Sequence, residues 1–311
     1  MIASNPAAEP IVHVVDLVPG TVCAIPEVTS EQLGTDGFWR DYVLKHRLVV
    51  IRAGASHWPA IERWKDGDYL VSHTDEVEVK YGRTFNFSPA LGFAKRAFRK
   101  PLPDLLSEML AAPVGSVYGS PALPLPKSWL PELGNFHFLP SQYDKLPRSY
   151  ERRRVFVYRN AGTEWHFHPL DETLTVQLRG SKRCSLFRLD DKTFNPYALY
   201  IESNVHHLDC AKRIFPADAS VTKHEAILHP GDALYIPPFY WHGIDPSDDD
   251  VGVTLAHCFR SPISRVGSWS DPLTKRTVRR QLLSGKIGQS LELAGLTTAG
   301  AVARWWKKEK W

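Results

Sequence analysis

Three histidines carry the first chemical suggestion in this sequence. In TEWHFHPLDET, His166 and His168 are separated by one residue, and His242 follows 76 residues after His166, in PGDALYIPPFYWHGI. Side chains alternate across an extended chain, so the His-x-His spacing aims both imidazoles at the same face. Neutral imidazole is a common metal ligand, and three of them suit iron, copper, nickel or zinc. A single histidine on a strand is more often a hydrogen-bonded core or surface residue. The joint spacing and the turn residues around His242 make ligation the stronger reading here. His206 and His207, in the loop-like NVHHLD, have nothing to place them near the other three and are read as ordinary histidines.

The elements that must position these residues are short. From about residue 153 the chain runs through RRVFVYRN, LTVQLRG, RCSLFRLD, EAILHPGDALYIP and DVGVTLAHCF, each bounded by Gly, Pro, Asn or Asp. Strands separated by turns, with no helical pattern between them, predict an antiparallel sandwich or barrel. Before it the texture is mixed. SEQLGTDGFWRDYVLKH predicts a helix capped at Ser30, with Phe38, Trp39, Tyr42 and Val43 on one face. RLVVIRAG reads as a buried strand ended by Gly54. PDLLSEMLAA repeats helical spacing through Leu105, Leu106, Met109 and Leu110, and dense prolines between 113 and 150 keep elements short. After about 271 the pattern returns to helix, ending in AVARWWKKEKW. The expected organisation is an N-terminal mixed α/β segment over 1–152, a β-barrel over 153–270 and a helical segment over 271–311. The fold class is mainly β with helical flanks.

Composition narrows the function classes. A chain of 311 residues that is 43% hydrophobic and 11% aromatic can bury a large core, and a net charge of +4 is too small to imply nucleic-acid binding. Cys23, Cys184, Cys210 and Cys258 are scattered and form no Cys-x-x-Cys pair, which argues against a disulfide scaffold or zinc ribbon and fits a reducing compartment. The N-terminal stretch lacks a basic region followed by an apolar run. No window approaches the ~20 apolar residues of a membrane span. A cytoplasmic protein, without membrane or nucleic-acid partners, is expected.

The two histidine segments match the paired motifs of the cupin barrel. The first motif is His-x-His, three residues, Glu, then a glycine; Glu172 and Gly180 fill it, with one extra residue before the glycine. Gly231, Pro237 and His242 fill the second. Glu172 is thereby a candidate fourth ligand, although DET reads equally as a solvated strand end. The chain as a whole resembles the cupin-like JmjC proteins, the group that includes the asparaginyl hydroxylase of hypoxia-inducible factor. HRLVVIRAGASHWPAIERW looks like the family's N-terminal segment, and GSKRCSLF and PGDALYIPPFYWHGI are the closest matches within 155–260. The resemblance implies a double-stranded β-helix and an iron(II)- and 2-oxoglutarate-dependent oxygenase. Position by position, it assigns His166 and His242 as metal ligands, and Lys182 and Thr163 as the groups that bind the far carboxylate of 2-oxoglutarate. A Lys ammonium and a Thr hydroxyl suit that carboxylate. Lys182 taken alone reads as an exposed basic residue.

Two departures stand out. His168 occupies the position of the family's aspartate, and His257 lies where some relatives carry asparagine. The latter is a candidate metal or cosubstrate contact, with a packed histidine as the plainer reading. Three protein ligands on a six-coordinate iron leave two positions for a 2-oxoacid and one for oxygen. A fourth ligand at Glu172 leaves only two, which suits a 2-oxoglutarate-independent cupin dioxygenase or isomerase that coordinates its substrate directly; in either case a small-molecule or peptide substrate is expected. A non-catalytic binding module is the third possibility. For the C-terminal AVARWWKKEKW, an amphipathic helix that packs its aromatics on the barrel or on a second subunit is expected, as helical tails serve dimerisation in similar proteins.

Overall fold

A computed structural model describes residues 13–34, 36–83, 97–190, 194, 197, 208 and 221–308. Its strands are β1 (Gly20–Ala24), β2 (Glu27–Thr29), β3 (Val49–Arg52), β4 (Glu78–Tyr81), β5 (Phe98–Pro101), β6 (Tyr118–Gly119), β7 (Leu123–Pro124), β8 (Arg153–Arg159), β9 (Thr163–His166), β10 (Asp171–Arg179), β11 (Lys182–Phe187), β12 (Val221–Leu228), β13 (Ala233–Ile236), β14 (Trp241–Pro246) and β15 (Gly252–Arg260). A five-stranded sheet has the order β1-β12-β11-β14-β9. A larger one has the order β2-β3-β13-β10-β15-β8-β6, with β7 also paired to β8. β4 and β5 form a separate ribbon. Within the two large sheets the pairs are antiparallel except β1–β12 and β2–β3. This is the jelly-roll, double-stranded β-helix architecture that the turn-punctuated strands predict. The N-terminal region takes part in it directly, because β3 pairs with β13 and β1 with β12.

Strand alternation sorts every side chain into one of three layers. On the larger sheet, Val155, Val157, Leu174, Val176, Tyr235, Val253 and Leu255 face outward and pack against the N-terminal helices, in a core that includes Phe38, Trp58, Trp64 and Met109. On the smaller sheet, Trp165, Phe187 and Trp241 face outward, into a core with Val14, Leu273 and Leu293. Between the sheets, Val50, Cys184, Leu186, Leu234 and Ile236 close one end. The rest of the interior is the cavity described below.

The N-terminal helices are α1 (Ser30–Leu33), α2 (Pro59–Arg63), α3 (Gly67–Ser72) and α4 (Leu102–Ala111). The cap of α1 is Thr29 rather than Ser30: a capping box joins the Thr29 and Gln32 side chains to each other's backbone. Helix α4 buries Leu105, Leu106 and Met109, as its spacing predicts. At the other end, α5 (Pro272–Leu283) and α6 (Ile287–Lys307) pack on the smaller sheet's outer core. Gly300 lets α6 approach closely, since a Cβ there would stand 2.5 Å from the carbonyl oxygen of Ile263. The aromatic end of α6 does not pack on the barrel as expected: Trp305 and Trp306 are 77% and 76% exposed. The helix spends its buried face on Leu293, Thr297, Gly300 and Arg304.

Candidate metal centre and anion pocket

The two outer histidines of the motif sit opposite each other. His166 on β9 pairs directly with His242 on β14. In both, Nδ1 donates to a backbone carbonyl two residues earlier: His166 to Glu164 O at 2.8 Å and His242 to Tyr240 O at 3.0 Å. That bond fixes the tautomer and leaves the Nε2 lone pair as the ligand atom. His168 lies just past the end of β9 but keeps the phase, with Phe167 turned outward onto Phe239 and Trp241. Its Nδ1 is held by Thr173 Oγ1 at 2.9 Å, and its carbonyl accepts from Phe239 N at 2.9 Å, joining the two ligand-bearing segments. One nitrogen from each of the three rings lies within 4.8 Å of the others. Three imidazoles held by their Nδ1 contacts, with ring nitrogens this close together, fit a divalent transition metal.

A cavity opens beside the three rings. Thr163 lines it only because of an irregularity in β9. The register passes from His242↔His166 to Ile244↔Thr163, so a bulge brings Thr163 into phase with His166. Lys182 begins β11 after a tight turn at Gly180, whose φ of +67° favours glycine. The Lys182 side chain is completely buried. Its Nζ donates to Thr175 Oγ1 at 2.7 Å and lies 3.4 Å from Thr254 Oγ1. Thr254 in turn donates to Gln177, which bonds Tyr158. No carboxylate among the described residues pairs with Lys182. Burial lowers its pKa to about 8, so it remains mostly cationic at neutral pH. Among the described residues no Asp or Glu lines the cavity, whereas Arg154 and Lys182 both do. The three imidazoles and the two cationic side chains thus share one chamber.

The profile of the cupin-like domain family matches residues 35–265. The chain belongs to this family. Among relatives, it is 26% identical over 238 residues to the "Lysine-specific demethylase JMJ30" of Arabidopsis thaliana, covering 68% of this chain and 49% of that protein. It is 23% identical over 260 residues to the "Jumonji C domain-containing protein 5" of Drosophila melanogaster, covering 77% and 60% respectively. It is also 26% identical over 252 residues to the "tRNA wybutosine-synthesizing protein 4" of Neurospora crassa, covering 74% of this chain and 20% of that one. The cupin-like chain thus spans from a fifth to three-fifths of the length of these relatives.

In this cupin-like domain the structure brings together His166, His168, His242, Thr163 and Lys182 around one cavity. Two other candidates are placed elsewhere. Glu172 is on the opposite face of β10 from Thr173 and Thr175, fully buried, and its two carboxylate oxygens accept from Tyr235 and Ser261 hydroxyls, each at 2.6 Å. It lies outside the histidine cluster, so the fourth-ligand reading is corrected. Burial raises its pKa to about 7. His257 shares its phase with Val253 and Leu255, and pairs with Leu174 on the outward side of the larger sheet. Its Nε2 meets Asp144 Oδ1 at 3.0 Å and its ring packs edge-on against Phe136, so the packed histidine is what the fold contains. His206 and His207 lie outside the described residues. The cavity also includes Arg154, Thr173, Thr175 and Thr254, which the motifs did not single out. Their signal was present in the alternation of Arg154, Phe156 and Tyr158 with Val155 and Val157, and of Thr173 and Thr175 with Leu174 and Val176.

Among the described residues no helix is long and apolar enough to cross a membrane.

Proposed function

We propose that this chain is an iron(II)- and 2-oxoglutarate-dependent oxygenase in which three histidines take the place of the usual two histidines and a carboxylate. The observation that carries the reading is the meeting, in one cavity whose described lining holds no acid, of a three-imidazole cluster and a buried ammonium that bonds, among the described residues, to hydroxyls alone. His166, His168 and His242 would hold the metal. Lys182 would hold the far carboxylate of 2-oxoglutarate, with the Thr163 hydroxyl lining the same cavity. A bound iron(II) supplies oxygen activation coupled to oxidative decarboxylation of 2-oxoglutarate to succinate. Thr173 keeps the His168 ring aimed at the cluster, and the carbonyls of Glu164 and Tyr240 do the same for His166 and His242. Ile236, Ile244 and Phe156 form apolar walls that limit water around the reacting centre.

The cosubstrate-free cupin alternative needs Glu172 at the metal, and the engagement of both Glu172 oxygens with Tyr235 and Ser261 weighs against it. The relatives' printed names include a demethylase and a tRNA-modifying protein, so the family name leaves the substrate of this chain open. Thiols at Cys23, Cys184 and Cys258 support a reducing compartment such as the cytoplasm. The exposed Trp305, Trp306, Leu291 and Val302 of α6 support a homodimer formed through the C-terminal helices. The test of the function is succinate formation from 2-oxoglutarate by purified protein with iron(II) and no added substrate. Slow turnover that disappears in His242→Ala and Lys182→Met supports the assignment. Stoichiometric metal without any 2-oxoglutarate consumption or binding overturns it.

A further inference from the structure

The cavity contains a second cation whose role the proposed cosubstrate leaves unfilled. Arg154 extends from β8 on the wall facing the histidines, and no carboxylate among the described residues pairs with it. Its guanidinium carbon lies 4.4 Å from the centroid of the Tyr150 ring, whose other neighbour is His168, with ring centroids 4.7 Å apart. Nη2 lies 3.5 Å from Cys258 Sγ, and Cys258 is 3.7 Å from Thr173 Oγ1, the group that holds His168. The guanidinium is therefore level with the metal-binding rings. The Lys182 ammonium sits apart from it, among Thr175 and Thr254. The Nε atom of Arg154 is buried with no hydrogen-bond partner among the described residues, and Nη2 is turned toward Cys258. With its face on Tyr150, the guanidinium has Nη1 left as the donor for a carboxylate or phosphate oxygen.

Charge points the same way. Among the described residues, the lining holds Arg154 and Lys182 and no acid. The position where a carboxylate would offset a divalent metal is the neutral His168. A dianionic 2-oxoacid cancels the metal's charge, leaving two cations in a confined space of low dielectric. From this we propose that Arg154 anchors the substrate to be oxidised, and that this substrate is a small molecule carrying a carboxylate or phosphate. This rests on the 2-oxoglutarate reading for the occupant of Lys182. It disfavours any substrate whose reacting end is cationic, such as an alkylated ammonium.

The test uses full-length iron(II)-loaded protein, kept anaerobic with saturating 2-oxoglutarate so that the Lys182 end is filled. Saturation-transfer NMR then measures butyrate, butyl phosphate and butylamine as probes of equal chain length. The expected result is binding of one or both anions and none of butylamine. Arg154→Gln weakens the anion by at least about tenfold, and Arg154→Lys restores part of it. Calorimetry shows the 2-oxoglutarate affinity of Arg154→Gln unchanged. Butylamine binding as well as the anions, no binding of either anion, or an Arg154→Gln variant that binds anion normally overturns the proposal. So does loss of 2-oxoglutarate itself in Arg154→Gln, which assigns the arginine to the cosubstrate. Failure of the underlying reading is seen separately, as wild-type protein that holds metal but no 2-oxoglutarate. In that case the anion titration in the Lys182→Met background isolates the contribution of Arg154.

Discussion

Replacing Lys182 by methionine should make the protein more stable while removing its cosubstrate site. Burial lowers the Lys182 pKa from its ordinary 10.5 to about 8. At 1.36 kcal/mol for each tenfold change, the folded state at neutral pH carries a cost of about 3 kcal/mol for keeping that ammonium charged. Methionine has a similar length, no charge and a flexible apolar shape that suits an irregular space. It forfeits the charged bond to Thr175 and the longer contact to Thr254, a loss of about 2 kcal/mol. The expected balance is a gain of about 1 kcal/mol at pH 7, read as a higher urea midpoint with unchanged slope. The sign reverses with pH in a defined way. Between about 8 and 10.5 the unfolded chain keeps a proton that the folded wild type has lost, so wild-type stability rises through this window and the advantage of Lys182→Met shrinks. Adding 2-oxoglutarate to the metal-loaded protein should stabilise wild type by about 3 kcal/mol at a hundred times Kd, and leave metal-loaded Lys182→Met unmoved. A variant that is less stable than wild type at pH 7, or that still gains stability from 2-oxoglutarate, would refute the reasoning.

Other outcomes follow from the same geometry. Glu172→Gln should leave metal content unchanged. It should also flatten the loss of stability that wild type shows as pH rises from about 4.5 to about 7, where the unfolded carboxyl ionises and the buried one does not; denaturant midpoints across that range check it. Asp245, raised to about 6 while accepting from Val14 and Val15 N, contributes a smaller loss of the same sign, and a residual slope in Glu172→Gln is expected from it. Thr173→Val removes the group that orients His168. It should weaken metal binding by about 10- to 100-fold with little change in fold, as seen by metal analysis after chelator dialysis beside circular dichroism. His168→Asp adds a negative charge beside the cation and should raise metal retention in the same dialysis.

How far the sequence foretold this site depends on how far strand alternation can be counted. His166, His168 and His242 were legible because each is set by a local rule, a one-residue spacing or a turn sequence ahead of a strand. Glu172 has the same parity as His166, yet the chain leaves β9 after His166 and re-enters a different sheet at Asp171, so the count does not survive the turn. The phase of Thr163 depends on a bulge that no residue type announces. His257 could have been placed by pattern alone, since it falls in the apolar row of Val253, Leu255 and Phe259. Lys182 in GSKR looks like an exposed lysine; its burial follows from β11 lying between β12 and β14, a pairing set by the whole topology. The jelly roll itself was readable from turn-bounded strands and β3 from the apolar run RLVVIRAG, whereas β1, β2 and the pairing of β3 with β13 were not.

The central claim is that three histidines and a buried lysine form one cosubstrate site. Its most direct test is anaerobic titration of the iron(II)-loaded protein with 2-oxoglutarate, following the visible charge-transfer absorption of the metal–oxoacid chelate. The account predicts a saturable band with one equivalent of iron, absent in His242→Ala for want of metal and absent in Lys182→Met despite bound metal. A protein that binds iron through its histidines and gives no band, or gives the same band at the same affinity without Lys182, contradicts it.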